Sequence, residues 1–277
     1  MPNPPRRIPS SSQLGSVIVW TAGAVGLLFL AVPIGALLLR AVQSRAWEAA
    51  PEAGVATAMW LTLASTAFTL LFTVLFGTPL AFVFARYTFR GKRLLNVLIE
   101  LPIVMPPAVA GLALLVTFGR RGLFGPVLRE LDLVPVFTLA AVVMAQIFVA
   151  APFYVRAAQL GFQNVPREIE DAARVDGAGS WRMFLYVTLP LASRALSAGL
   201  ILCWARALSE FGATILFAGN NQNDTRTLTL LVYTLFEGDL NAAVWVGLLL
   251  IGLALVALLL SQWVAQSAAQ GAAQDVG

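Results

Sequence analysis

The chain has 277 residues, 59% of them hydrophobic and 12% charged, with a mean hydropathy of +0.82 and a net charge of +4. A soluble domain carries about 25% charged residues, so half that charge leaves too little polar surface for water and makes lipid the solvent. The absence of histidine and the single cysteine, Cys203, exclude an intrachain disulfide, a His/Cys metal centre and a histidine-activated nucleophile.

A bilayer-spanning helix needs about 20 mostly apolar residues. Residues 17–39 supply the first, preceded by Arg6 and Arg7 and closed by Arg40. A cleaved signal would have an apolar core of only about 7–15 residues, so this helix is expected to be retained. The second span falls within 53–85, a run longer than one crossing, which a tilt or a projection beyond the bilayer accommodates. The third covers roughly 94–118 and contains Glu100, Pro102 and the Pro106-Pro107 pair. The fourth covers about 135–155, the fifth runs from near Leu191 past Arg206, and the sixth falls within 240–264. The sequence thus predicts an all-α membrane protein of six transmembrane helices. The membrane domain spans 17–265, with its core at about 56–260. Residues 1–16 (Pro/Ser-rich) and 266–277 (Ala/Gln-rich) are expected to be disordered tails.

The basic residues are scattered in short clusters between apolar runs, which argues for a membrane protein and against a nucleic-acid partner. Arg6, Arg7, Arg86, Arg90, Lys92, Arg93, Arg156, Arg167, Arg174 and Arg182 lie on one side of the six spans. Arg40, Arg45, Arg120, Arg121, Arg129 and Arg226 lie on the other, with Arg194 and Arg206 near the boundaries. The richer side is cytoplasmic by the positive-inside rule, so both termini are expected inside.

The loop over 165–190 reads as two short helices with a break between them. Pro166 suits a first helical turn, and Glu168, Glu170 and Asp171 place negative charge at the positive end of the helix dipole. Gly177 suits a left-handed terminus, Ser180 can cap the second helix, and Leu189-Pro190 leads back to the membrane. Ile169, Ala172 and Ala173 share one side of the first helix, a small-residue face that another protein can approach closely. An amphipathic loop lying on the membrane surface fits the same pattern.

This segment resembles the EAA loop of ABC-importer permeases: Asp171-Ala172-Ala173, Gly177, Val187 and Leu189-Pro190 stand at that motif's spacings, with Asp for the usual Glu and Val for the usual Ile. The resemblance implies the transmembrane domain of a type I ABC importer. In that family a coupling helix, here within 163–190, fits a cleft in an ATP-binding cassette subunit. It makes Glu168, Glu170, Asp171, Ala172, Ala173 and Gly177 coupling residues and the chain not an enzyme. No G-x-x-x-x-G-K-[ST] occurs, and the one lysine, Lys92, lacks the flanking residues of a phosphate loop. ATP and Mg would therefore be held by the partner. Two ATPase chains, a second copy of the permease, an extracytoplasmic substrate-binding protein and a bacterial inner-membrane location are implied in the same way.

Two further stretches sharpen the likeness. Residues 101–111, followed by Phe118-Gly119-Arg120-Arg121-Gly122, resemble the third span of molybdate and sulfate permeases. Residues 205–220 resemble their fifth, with Ser209 where glycine is usual. The Phe-Ala-Gly-Asn ending at Asn220 and the size of the chain favour molybdate; sulfate, thiosulfate and tungstate are the alternatives. Pro106, Pro107, Gly111, Arg206, Glu210, Phe211, Gly212 and Thr214 become candidate pathway residues. Arg206 and Glu210, four apart in an apolar stretch, read either as an intrahelical pair or as a source of positive potential for an oxyanion, with Glu210 fixing the arginine. Ionised groups at bilayer depth cost roughly 2.5–3.5 kcal/mol each, so Glu100 too is expected to find an arginine or the cytoplasmic surface. Breaks at proline and glycine would free backbone N–H groups to meet an anion. A gradient-driven secondary transporter is the alternative from another class. It would more often show inverted repeats and several intramembrane acids.

Overall fold

The computed structural model describes residues 11–49 and 54–274. All regular elements among them are helical. Five helices are long and apolar enough to cross a membrane: α1 (Ser11–Gln43), α2 (Val55–Arg86), α6 (Leu139–Gln163), α9 (Leu189–Leu208, continuous with the stretch from Ser180) and α12 (Leu240–Gln274). Shorter helices lie between them: α3 (Lys92–Val104), α4 (Pro107–Phe118), α5 (Gly125–Glu130), α7 (Arg167–Val175), α8 (Ser180–Met183), α10 (Gly212–Phe217) and α11 (Leu228–Phe236).

The third expected span is not one helix. It is the pair α3 and α4, bent by 117°. Pro106 and Pro107 have no N–H to continue the ladder and push the residues before them out of the helical region. Met105 and Pro106 are accordingly extended, at ψ 133° and 131°. The expected tails also differ. Residues 1–10 and 275–277 lie outside the described residues, but 11–16 and 266–274 are helical. Alanine and glutamine favour helix once a long helix is there to extend.

The centre of the domain is α6, packed between α2 and α9. Tyr154, Val155, Ala158 and Phe162 of α6 pack with Ala81 of α2 and Ala192, Cys203 and Ala207 of α9. The α6–α9 approach is close because it is made of small residues: a Cβ on Gly199 would lie 2.6 Å from that of Ala157. A second cluster joins α4, α6 and α10 through Ala110, Leu114, Ala141, Val142, Ala145, Ala213 and Phe217. By contrast, α1 packs on the rest near its end, where Ala41 meets Ala46 and Val244, and exposes Val17, Trp20 and Phe29.

Within the apolar bundle α2 buries a polar stripe: Thr62, Ser65, Thr66, Thr69, Thr73 and Thr78. Thr69 donates to Gln146 Oε1 at 2.9 Å, and Gln146 Nε2 donates to Ser65 Oγ at 3.2 Å. Thr78 shares a 2.6 Å hydrogen bond with the Tyr154 hydroxyl, and Thr62 Oγ1 accepts the first N–H of α11, from Leu228, at 2.8 Å. Interhelical hydrogen bonds in membranes average about 0.6 kcal/mol. Gln146→Leu, which removes two of them, is therefore expected to lower stability by about 1–2 kcal/mol, measured by thermal unfolding in detergent.

Candidate functional site

Two places gather the residues singled out in the sequence. The first is the loop over 165–190. Pro166 (φ −62°, ψ 133°) stands at the N-terminus of α7, with Glu168 and Glu170 in the first turn and Arg174 in the last. At its end Gly177 takes φ +85°, where only glycine is unstrained. Its N–H meets Arg174 O at 3.0 Å, and Ala178 N–H meets Ala173 O at 2.9 Å. That pair of bonds satisfies the last carbonyls of α7 and fixes the turn. The next helix does not start as expected. Gly179, extended at ψ 159°, is the cap; its carbonyl accepts Met183 N–H at 2.9 Å, and Ser180 is already helical. From Ser180 the chain runs without interruption into α9 through a wide π turn, Phe184–Thr188. Pro190 follows that turn; it has no N–H for the carbonyl of Tyr186, and a wider turn relieves the clash of its ring with that carbonyl.

The three acids of α7 part company. Glu168 and Asp171 are exposed, and Asp171 pairs with Arg174 at 2.6 Å on the surface. Glu170 is 5% exposed and turned inward. Its Oε1 accepts Arg86 Nη2 and Thr188 Oγ1, each at 2.7 Å. Ile169, Ala172 and Gly177 are exposed, Ala173, Val187 and Leu189 half-buried and Pro190 exposed. The small apolar side of α7 therefore faces outward. Against the loop opens a cavity of about 900 Å³ between α2, α6, α7, α8 and α9, walled by Thr78, Arg86, Tyr154, Glu170, Trp181 and Leu196 among others.

The second place is a meeting of two breaks. α9 stops at Leu208, and the chain restarts as α10 at Gly212, beside the α3–α4 elbow. A Cβ on Gly212 would lie 2.8 Å from Pro107 Cβ, and one on Gly111 would lie 2.8 Å from Ala213 O and 2.9 Å from its Cα. The elbow residues Pro106 and Pro107, then Gly111, Gly212 and Thr214, are thus brought together. Thr214 is fully buried, and Phe211 is half-buried with its ring 5.3 Å from that of Tyr233.

Arg206 and Glu210 do pair, Nη2 to Oε2 at 2.6 Å, but not along one helix: Glu210 lies beyond the end of α9. Its side chain is 1% exposed against 23% for Arg206. Glu210 Oε1 accepts Ala213 N–H at 2.7 Å, and its backbone carbonyl accepts Thr229 Oγ1 of α11 at 3.0 Å. One residue therefore ties α9, α10 and α11 together. The pair carries no net charge, and Glu210 itself takes an N–H freed by the break, so this arrangement is a brace before it is an anion site. Glu100 pairs with Arg156 at 3.1 Å, both side chains partly exposed. A staple not singled out from the sequence closes the loop before α11. Arg226 donates to Asn220 Oδ1 at 2.9 Å and to its carbonyl at 3.2 Å, and Asn220 Nδ2 donates to Thr234 at 2.8 Å.

Residues 77–270 match the family model described as "Binding-protein-dependent transport system inner membrane component". The molybdenum transport system permease protein ModB of Escherichia coli K12 is 39% identical over 212 residues, 76% of this chain and 93% of that one. ModB of Mycobacterium tuberculosis is 38% identical over 87% of this chain and 91% of its own. The sulfate transport system permease protein CysT of E. coli is 36% identical over 78% and 79%. Among solved structures, a chain of a bacterial ABC transporter that imports alginate superposes with a TM-score of 0.71, covering 94% of this chain at 18% identity, which shows a shared fold. Six hydrophobic stretches, one of them folded into an elbow, an outward-facing α7 and this match together place the chain in the family: it belongs to the binding-protein-dependent transport system inner membrane components, the permease subunits of ABC importers.

Proposed function

We propose that the chain forms the translocation path for molybdate in an ATP-driven importer of the bacterial inner membrane. The observation that carries this reading is the 39% identity to a molybdenum permease over 93% of that protein's length. The 36% identity to a sulfate permease keeps sulfate, and with it thiosulfate, as the second reading; tungstate, the same shape as molybdate, is a further cargo. In this reading α7 docks on an ATPase chain with Ile169, Ala172, Glu168 and Asp171 outward, while Gly177, the half-buried Ala173, Val187 and Leu189, and the exposed Pro190 shape and seat the loop. Two ATPase chains hold ATP and Mg, a second copy of the permease completes the path, and an extracytoplasmic binding protein delivers the anion. The arginine and lysine distribution supports cytoplasmic termini. Closure of the ATPase pair then moves the helices as rigid bodies and alternates access.

Near the path, the α4–α10 contact and the Arg206–Glu210 brace hold the ends of the broken helices. Their exposure to the anion comes when the brace shifts, because a paired guanidinium offers little attraction to a dianion. The test is uptake by proteoliposomes holding the permease, its ATPase and its binding protein. Molybdate uptake is expected to require internal ATP and to be competed by tungstate but not by equimolar sulfate. Stronger competition by sulfate replaces the cargo, and uptake on an ion gradient alone favours the secondary-transporter reading.

A further inference from the structure

We infer that Glu170 is an internal positioning residue that fastens the α7 docking helix to α2 and α9, and so carries the partner's motion into the membrane domain. This rests on the reading of α7 as the ATPase-docking element. Apolar packing does little to hold α7 to the bundle, for Ile169, Ala172 and Val175 are exposed and Ala173 alone among its apolar residues is half-buried. Glu170 holds it. Its Oε1 joins Arg86 Nη2, on the last residue of α2, to Thr188 Oγ1, on the last residue of the π turn that opens into α9, both at 2.7 Å. The same Arg86 nitrogen donates to the carbonyl of Val165 at 3.2 Å, on the segment leading from α6 into α7. Arg86 and Glu170 side chains are 10% and 6% exposed.

Four pieces of chain therefore converge on one carboxylate and one guanidinium, both nearly buried at the edge of the cavity. Charge-assisted bonds of this length are shorter and stronger than neutral ones, and the low local dielectric stiffens them. A push on α7 reaches the ends of α2 and α9 through this joint, and α2 and α9 are the two helices between which α6 is packed. The π turn gives α9 a helical register that can change where Thr188 is held. Asp171, one residue on, is exposed and pairs with Arg174 on the surface, where a partner can reach it.

The test uses the permease–ATPase complex with its binding protein in proteoliposomes and compares Glu170→Gln, Thr188→Val and Asp171→Asn. Three quantities are read: ATPase chains retained on purification, ATP hydrolysed, and molybdate transported per ATP. Glu170→Gln is expected to retain the ATPase chains and hydrolysis, while transport per ATP falls roughly two- to thirty-fold. Thr188→Val, which removes one donor and strands no charge, should shift the same ratio less far. Asp171→Asn, on the exposed face of α7, should instead reduce retention of the ATPase chains. Wild-type transport per ATP in Glu170→Gln overturns the inference, and so does loss of the ATPase chains from that variant, which would make Glu170 a docking residue. If Glu170→Gln does not fold, an unchanged ratio in Thr188→Val overturns it. Uptake by the wild-type complex without ATP removes the importer reading itself, which separates the two failures.

Discussion

Arg206→Gln is expected to lower the stability of the chain by about 3–5 kcal/mol, the usual cost of removing one partner of a buried ion pair, and to abolish uptake. The cost falls on Glu210. Its side chain is 1% exposed, and losing the guanidinium leaves a carboxylate with Ala213 N–H as its remaining donor. The double variant Arg206→Gln/Glu210→Gln removes both charges, keeps an amide oxygen for Ala213 N–H, and should regain most of that stability. Uptake in the double variant then reads the role of the charges apart from the fold. Recovery of uptake along with stability makes the pair a brace alone, whereas stable protein without uptake gives the guanidinium a part in transport. Thermal unfolding in detergent and uptake by the same preparations check both. An Arg206→Gln variant as stable as the wild type would show that the pair contributes nothing to the fold.

Gly111→Val is expected to cost on the order of 1–3 kcal/mol from overpacking and to reduce uptake severely. A Cβ at this position meets Ala213 O at 2.8 Å, Ala213 Cα at 2.9 Å and Leu216 Cβ at 3.0 Å. Two of these three atoms belong to the α10 backbone, which has no rotamer to change, so α4 and α10 must separate. Valine adds two methyl groups to that conflict. Gly247→Ala in α12 is the comparison, since a Cβ there has nothing within 4 Å. It should be neutral or stabilise by roughly 0.5–1 kcal/mol. Unfolding midpoints of both variants, with uptake measured beside them, test whether the contact between the two broken helices is the sensitive one.

Much of this architecture was legible because hydropathy marks the spans directly. α1, α2, α6, α9 and α12 are long uncharged or nearly uncharged runs, and each appears where the sequence predicts it. Hydropathy counts apolar residues but carries no direction, which is why the third span was read as one crossing. Pro106-Pro107 announces a break, but the angle of 117° follows from packing Gly111 and Gly212 across α4 and α10, a contact about a hundred residues apart in the chain. The same distance problem conceals that Glu170 turns inward. It looks like its neighbours Glu168 and Asp171 until Arg86 arrives from α2. The Schellman-type turn at Gly177 was readable because its chemistry is local, whereas the cap at Gly179 rather than Ser180 turned on a single residue's backbone angle. The buried threonines of α2 carried a usable signal, the four-three-four spacing of Thr62, Thr66, Thr69 and Thr73, which averaged hydropathy conceals.

That threonine face has a mechanical consequence. Thr62 and Thr66 already give their hydroxyl hydrogens to carbonyls four residues earlier in α2, at 2.7 and 2.8 Å. Thr69 instead spends its hydrogen on Gln146 of α6. A threonine whose hydroxyl hydrogen loses its neighbour can turn it to its own helix, as the bonds of Thr62 and Thr66 show, so its donor need not go unmade when a partner on α6 moves away. An all-leucine seam interlocks and must climb over its own side chains to shift, while this one trades partners as it goes. A transporter that alternates its openings is served by a seam whose hydroxyls can be satisfied in more than one arrangement.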